Sequence, residues 1–187
     1  MLQPKTTLHL RSAALSDIDG IDRIEREAFS TPWSRDLLRA AIVNRQYTVQ
    51  ALSEDGRLVG FYIAHTVQRR SNLDNLAVDA PERRQGHGRR LMQDWMLRAR
   101  GTGLNGLTLQ VNTANAVAQQ LYESYGFRTT RLLVAYYPNG DDAYQMELAL
   151  SEQPADGGDP APPEKPRGAA RSGRLWFGRR SHDGRRP

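Results

Sequence analysis

Four arginines, Arg83, Arg84, Arg89 and Arg90, bracket the glycine loop Gln85-Gly86-His87-Gly88, one turn after the short apolar stretch Leu73–Val78. Gly86 and Gly88 let the backbone bend until successive N–H groups face one concavity. Those N–H groups, the positive end of the helix that follows and the guanidinium groups together make an anion site. The anion it suits best is a pyrophosphate. Two other phosphate loops do not fit. The dinucleotide fingerprint wants a third glycine where this chain reads G-H-G-R-R-L, and the nucleotide-binding P-loop wants Gly-Lys-Ser/Thr. A lone G-x-G also serves any tight turn before a helix; the order strand, basic glycine loop, long amphipathic helix favours the anion.

Such a loop needs a strand before it and a sheet around it. Thr7–Ser12 alternates apolar and polar residues and reads as a first strand. Ser16-Asp-Ile-Asp19 has the form of a capping box, opening a helix to about Phe29 on Ile18, Ile21 and Ile24. Pro32-Trp33-Ser34 breaks it, and Ser34 caps a second helix through Leu37, Leu38 and Ile42. Gln46–Ser53 and Leu58–Val67 are strands joined by the hairpin signal Glu54-Asp55-Gly56. The central strand Leu73–Val78 and the helix from about Gly86 to Arg100 follow, the helix ending at Gly101. Leu107–Val111 alternates again, and Asn112 or Thr113 caps a helix carrying Ala116, Ala118, Leu121 and Tyr122 as far as Gly126. Two last strands, about Phe127–Tyr136 and Ala143–Leu150, meet across Pro138-Asn139-Gly140-Asp141. This order implies an α+β fold, a mixed, mostly antiparallel sheet flanked by helices on both faces.

The folded part is expected to be one domain, 1–150. From Ser151 to Pro187 the chain is rich in Pro, Gly and charge and almost empty of large apolar residues, so 151–187 reads as a disordered tail. The chain has 26 basic and 21 acidic residues, and the tail carries three of the five net positive charges. Lys5 and Lys165 are the only lysines. Arginine spread over plain helix faces reflects composition rather than a nucleic-acid surface, which would gather its cations around aromatics. Only Arg174-Leu-Trp-Phe-Gly-Arg-Arg180 in the tail has that character, enough for at most weak contact. Cysteine is absent, which excludes disulfides, thiolate nucleophiles and Cys-ligated metal, and fits a reducing cytoplasm. No apolar run is long enough to span a bilayer, and the start lacks an apolar signal segment, so a soluble cytoplasmic protein with no membrane partner is expected. His9, His65, His87 and His182 are scattered in the sequence, and no metal is expected.

Arg83-x-x-Gly86-x-Gly88 resembles the acetyl-CoA loop of the GNAT N-acetyltransferase superfamily, and the element order matches that family over residues 7–150. The resemblance is closest to RimI-type ribosomal-protein alanine N-acetyltransferases. Four blocks carry it: Phe29 through Pro32-Trp33-Ser34; Asn75–Asp79 with the glycine loop; Val111–Asn115 with Leu121–Phe127; and Tyr136–Tyr144. It implies acetyl-CoA as cosubstrate, its acetyl and pantetheine arm held by Leu76, Ala77 and Val78, with the Val78 N–H as oxyanion donor. It implies Arg83, Arg84, Gln85, Gly86, His87, Gly88 and Arg89 around the pyrophosphate, and Asn115 on the cofactor arm. Asn115 also reads, without the family, as a polar residue satisfying a helix start. Trp33, Tyr136 and Tyr137 match groups that pack on a substrate peptide, although packing alone also accounts for them.

Tyr122 is the expected acid. A phenol with a pKa near 10 is protonated at neutral pH and can donate to a departing thiolate. A core aromatic is the competing reading, and Tyr125 on the same helix is assigned to packing. At Gln110 the chain departs from the family, which usually has Glu or sometimes His there as base. A carboxamide orients an amine or a water but takes no proton near neutral pH. His65 or Asp74 acting through water are substitutes; alternatively the amine needs little help. A chain N-terminus, pKa about 7.7–8.0, is already partly neutral near pH 7, whereas lysine at about 10.4 is almost wholly charged. Gln110 therefore points to an α-amine rather than to lysine. The expected function is acetyl transfer to a protein or peptide N-terminus, with the N-terminal alanine of a small-subunit ribosomal protein as leading acceptor. A small-molecule amine acetyltransferase of the same fold and a non-catalytic acyl-CoA-binding module are the rivals.

Overall fold

The computed structural model describes residues 7–150; the expectations for the segment after Leu150 lie outside these residues. The strands are β1 Leu8–Ser12, β2 Tyr47–Glu54, β3 Arg57–Val67, β4 Arg70–Val78, β5 Gly106–Asn112, β6 Arg128–Leu133 and β7 Ala143–Ala149. The helices are α1 Ile18–Ala28, α2 Arg35–Val43, α3 His87–Arg100 and α4 Ala116–Ser124. One sheet holds all seven strands in the order β1-β2-β3-β4-β5-β7-β6. Among the described residues only β4 and β5 run parallel; every other pair is antiparallel.

Alternation along the central strands divides the core. Phe61, Ile63 and Ala77 pack with Ile21, Ile24, Ala28 and Leu38 of α1 and α2. Tyr62, Leu76, Val78, Leu109 and Val111 pack with Leu91, Trp95 and Met96 of α3 and with Tyr122 of α4. Period-two strands thus bury both faces, as a sheet covered by helices on each side must. Each fully buried Leu, Ile or Phe contributes about 1.5–3 kcal/mol by area transfer, so the two clusters fix the sheet against both helix layers. Among the described residues no helix is long and apolar enough to cross a membrane.

Several boundaries differ from expectation. Ser16 does not cap α1: a 3₁₀ turn, Leu15–Asp17, precedes it, and Asp17 Oδ2 accepts from the Ala14 N–H at 2.7 Å. Ser34 does cap α2, accepting from the Leu37 N–H at 3.3 Å. β4 starts three residues early because Gln68 and Arg69, at φ 49° and 59°, make a tight turn from β3. Neither residue is a turn former, so the hairpin left no signal in composition. The α4 cap is Asn115 rather than Asn112 or Thr113, with Asn115 Oδ1 accepting from the Ala118 N–H at 3.1 Å. β6 stops at Leu133, leaving both Tyr136 and Tyr137 in the loop before β7.

Candidate active site

β4 and β5 are paired only as far as Leu73 opposite Leu109; beyond that rung they separate into a fork. On its other side β4 stays paired with β3 to Val78, and the Asp79 N–H donates to the Val59 carbonyl at 2.8 Å. Strand alternation then turns the Ala77 amide toward β3 and the Leu76 and Val78 amides into the fork. The Val78 carbonyl confirms the sense, since it accepts from Arg83 Nε at 3.1 Å away from β3. Leu76 and Val78 therefore offer main-chain groups to a ligand in the fork. Ala77 has its own amide engaged with β3 and lies with its methyl group in the α1–α2 cluster.

At the end of the fork the chain passes through Arg83 and Arg84 to α3. Gly86 is the residue before the helix, at φ 87°, and a Cβ placed there meets nothing within 4 Å. Glycine is needed for the left-handed backbone, not for room. The Arg90 N–H closes the first helical turn on the Gly86 carbonyl, leaving the N–H groups of His87, Gly88 and Arg89 without intrahelical partners. Arg84, Gln85, Arg89 and Arg90 are exposed around them. Arg83 is half-buried and leans back to Val78, and Gln85 Nε2 donates to Glu82 at 2.9 Å. His87 faces inward, only 4 % exposed, so its side chain sits under the loop instead of lining it.

Asp79 anchors this turn. Arg23 donates to both of its oxygens at 2.9 and 2.8 Å, and Arg57 lies 3.4 Å away. These guanidinium groups hold its carboxyl below the usual carboxylate range even though burial acts the other way. Glu54, Glu82 and His87 bring potential metal-ligand atoms within 4.8 Å of one another, a convergence invisible in the sequence spacing. Both Glu82 oxygens already accept, from Arg57 and from Gln85.

Tyr122 packs in the α3–α4 cluster together with Leu76, Val78, Leu109 and Val111 of the two fork strands, where it is 1 % exposed. A Schellman turn fixes it: the Gly126 N–H donates to Glu123 and the Phe127 N–H to the Tyr122 carbonyl, with Gly126 at φ 90°. Phe127 then packs on Tyr122 and stacks on Trp95, at ring separations of 6.0 and 5.8 Å. Burial, and after it the neighbouring Tyr137, push the Tyr122 phenol well up, so it is protonated at neutral pH. Tyr125, by contrast, reaches the surface, its hydroxyl donating to the Arg89 carbonyl at 3.3 Å.

The opposite face of the fork carries Gln110, because Leu109 and Val111 on either side of it point into the α3–α4 cluster. Tyr136 and Tyr137 meet edge to face at 5.1 Å, with Tyr137 buried and Tyr136 half-buried. Their loop is tied to the end of β5 by Asn112 Nδ2, which donates to Asp141 at 2.8 Å. Trp33 lies between α1 and α2, edge to face with Tyr47 at 6.2 Å. One buried residue that braces the site went unmarked in the sequence. Glu25 is fully buried, its Oε1 accepting from Asn75 Nδ2 at 2.7 Å and from the Trp33 N–H at 2.9 Å. An acid on the apolar face of an amphipathic helix was the available signal.

A strand fork ending in a basic glycine turn accepts a long, flexible cofactor with a diphosphate at one end. A protonated phenol beside the fork can donate to a leaving group held there. Residues 13–150 match the family model described as an acetyltransferase (GNAT) domain. The [ribosomal protein bS18]-alanine N-acetyltransferase of Escherichia coli K12 is 33% identical over 145 residues, which cover 76% of this chain and 97% of that protein. The crystal structure of the ribosomal-protein-S18-alanine N-acetyltransferase from Escherichia coli superposes with a TM-score of 0.74 at 30% identity, covering 82% of this chain and 100% of that one. Arabidopsis thaliana NAA60 in complex with acetyl-CoA shares the fold, with a TM-score of 0.72 at 20% identity over 77% of this chain and 99% of that one.

Proposed function

This chain belongs to the GNAT acetyltransferase family and is an acetyl-CoA-dependent N-acetyltransferase, and from that premise we propose that it acetylates a protein N-terminal α-amine in the cytoplasm. The leading acceptor is the N-terminal alanine of a ribosomal protein of the bS18 kind, the substrate named for the Escherichia coli relative. The observation that carries the α-amine reading is the fork with Gln110, not a carboxylate, on its open face. A site without a carboxylate at that position suits an amine already partly neutral near pH 7, which needs a weaker proton acceptor than lysine does.

We assign the roles as follows. The Leu76 and Val78 amides hold the acetyl and pantetheine arm, Val78 stabilising the oxyanion. The N–H groups of His87, Gly88 and Arg89, with Arg84, Gln85 and Arg89 side chains, take the pyrophosphate, and Arg83 braces the turn. Asn115 borders the cofactor arm. Trp33, Tyr136 and Tyr137 line the peptide entrance, and Gln110 orients the amine. Tyr122 donates to the developing thiolate. Its raised pKa favours a strong hydrogen bond over early proton loss, so transfer completes only as the amine nitrogen gives up its own proton. The folding unit in this reading is 1–150, with 151–187 an appended tail.

Thiol release from acetyl-CoA tests the acceptor. Peptides beginning with Ala, Ser or Met, the same peptides with blocked N-termini, and spermidine are compared at equal concentration. The alanine peptide is expected to be fastest and blocked peptides silent. Release with spermidine and none with peptides rejects the α-amine assignment in favour of a small-molecule enzyme.

A further inference from the structure

Gln110 leaves the reaction without a proton acceptor on β5, and on the same face of the sheet β3 and β4 bring together a candidate. In the β3–β4 pairing, Ile63 faces Asn75 and Ala64 faces Leu73, so Asp74 is the extra residue of a bulge. A bulge re-aims a side chain. Here it sends the Asp74 carboxylate to His65, whose Nδ1 is 2.5 Å from Asp74 Oδ2. An ionised carboxylate only accepts, so Nδ1 carries a proton, and in the neutral imidazole it is then Nε2 that can accept one. Nε2 makes no hydrogen bond to another described residue, and the ring is about a quarter exposed, at 23%.

The pair lies at the root of the fork. Leu73 and Leu109 make the last β4–β5 rung, so Asp74 and Gln110 are the first residue on each strand beyond it. Their backbones stand roughly one strand spacing, about 5 Å, apart there. Both side chains take the face away from α3 and α4. Gln110 does so by alternation, and Asp74 because its charge reaches Tyr47, which packs on the α1–α2 cluster with Trp33. The His65 ring is held from the same side by Tyr47, at 5.6 Å between centroids.

We propose that His65, oriented by Asp74, is the proton acceptor for the substrate amine, reaching it through one water at the root of the fork. This rests on the α-amine acetyltransferase reading above. A water hydrogen-bonded to Gln110 takes a proton from the ammonium group and passes one to His65 Nε2. The neutral nitrogen attacks the thioester carbon, the C–N bond forms and the C–S bond breaks. The second nitrogen proton replaces the one that Tyr122 gives to the coenzyme A sulfur, and His65 returns the first to solvent. Asp74 is a positioning residue that fixes the tautomer.

The full chain is assayed by thiol release with acetyl-CoA and an octapeptide beginning with alanine. His65→Gln is expected to lower kcat about 10- to 100-fold near pH 7 with the acetyl-CoA KM unchanged. Near pH 9.5, where the α-amine is neutral unaided, the deficit should shrink to within about threefold. Asp74→Asn should move in the same direction, and adding Gln110→Glu to His65→Gln should restore most of the rate near pH 7, since a carboxylate then stands at the fork. A kcat within twofold of wild type near pH 7 overturns the proposal. So does a deficit that persists near pH 9.5, or one that Gln110→Glu leaves untouched, because packing against Tyr47 alone predicts both. A wild-type chain inactive on this peptide but active on spermidine rejects the α-amine reading and the proposal with it. An active wild type with an equally active His65→Gln rejects the dyad alone.

Discussion

Asn75 on the central strand donates through Nδ2 to the buried Glu25 of the first helix at 2.7 Å, and the same Glu25 oxygen accepts from the Trp33 backbone at 2.9 Å. One carboxylate thereby ties the fork to the α1–α2 connection at which the peptide is proposed to enter. Removing it takes this acceptor from the buried Asn75 amide and from the half-buried Trp33 N–H. Glu25→Ala should therefore lower the unfolding free energy by about 2–4 kcal/mol. For a domain of this size each kcal/mol moves Tm by about 2–4 °C. Urea melts of the variant check it; a change below about 0.5 kcal/mol would show that the network is not structural.

Tyr122 can be probed without disturbing its packing. Phe at 122 keeps the ring against Phe127 and deletes only the hydroxyl. Tyr122→Phe should reduce kcat about 10- to 1,000-fold and leave coenzyme A affinity within about twofold, a range typical of lost proton donation. Titration calorimetry with coenzyme A beside steady-state rates separates the outcomes, and lost affinity would return Tyr122 to a purely packing role.

Gly86 makes a different prediction because its constraint is conformational. A Cβ there has open space but must adopt φ 87°. Gly86→Ala should cost about 1–2 kcal/mol of strain, which the loop will relieve by shifting its amides away from the pyrophosphate. The expected result is an acetyl-CoA KM raised about tenfold or more with a smaller effect on kcat. Equal affinity would mean that the loop amides do not hold the phosphates.

Asp79 gives the pH dependence. Its folded carboxyl titrates below the unfolded one, chiefly through the Arg23 hydrogen bonds. Its contribution is then complete above the unfolded carboxylate pKa, about 4, and is lost as the pH falls through the lower folded value. Because Arg23 is half-exposed, the loss on Asp79→Asn should be modest, about 1–2 kcal/mol near pH 7. The gap between variant and wild type should narrow as the pH drops below about 4. A gap that is constant from pH 7 to 3 would contradict the assignment.

The sequence alone determined the elements and the family. Local chemistry decides them: the Asp55-Gly56 turn, the Ser34 cap, the Gly126 helix stop and the period-two strands are each written within a few residues. The basic glycine loop and the Leu121–Phe127 block carried the family resemblance for the same reason. What the sequence left unsettled depended on groups far apart along the chain. The Gln68–Arg69 turn has no turn residues and exists because β3 and β4 pair on either side of it. Glu25 meets Asn75 across 50 residues. Strand alternation on the β3 side, not composition, turned the Ala77 amide away from the fork and those of Leu76 and Val78 into it. His65 and Asp74 were separate candidates until the bulge joined them. A side chain's type is local information; the face it takes and the partner it meets are set by register, and register is decided only when the whole sheet packs between its two helix layers.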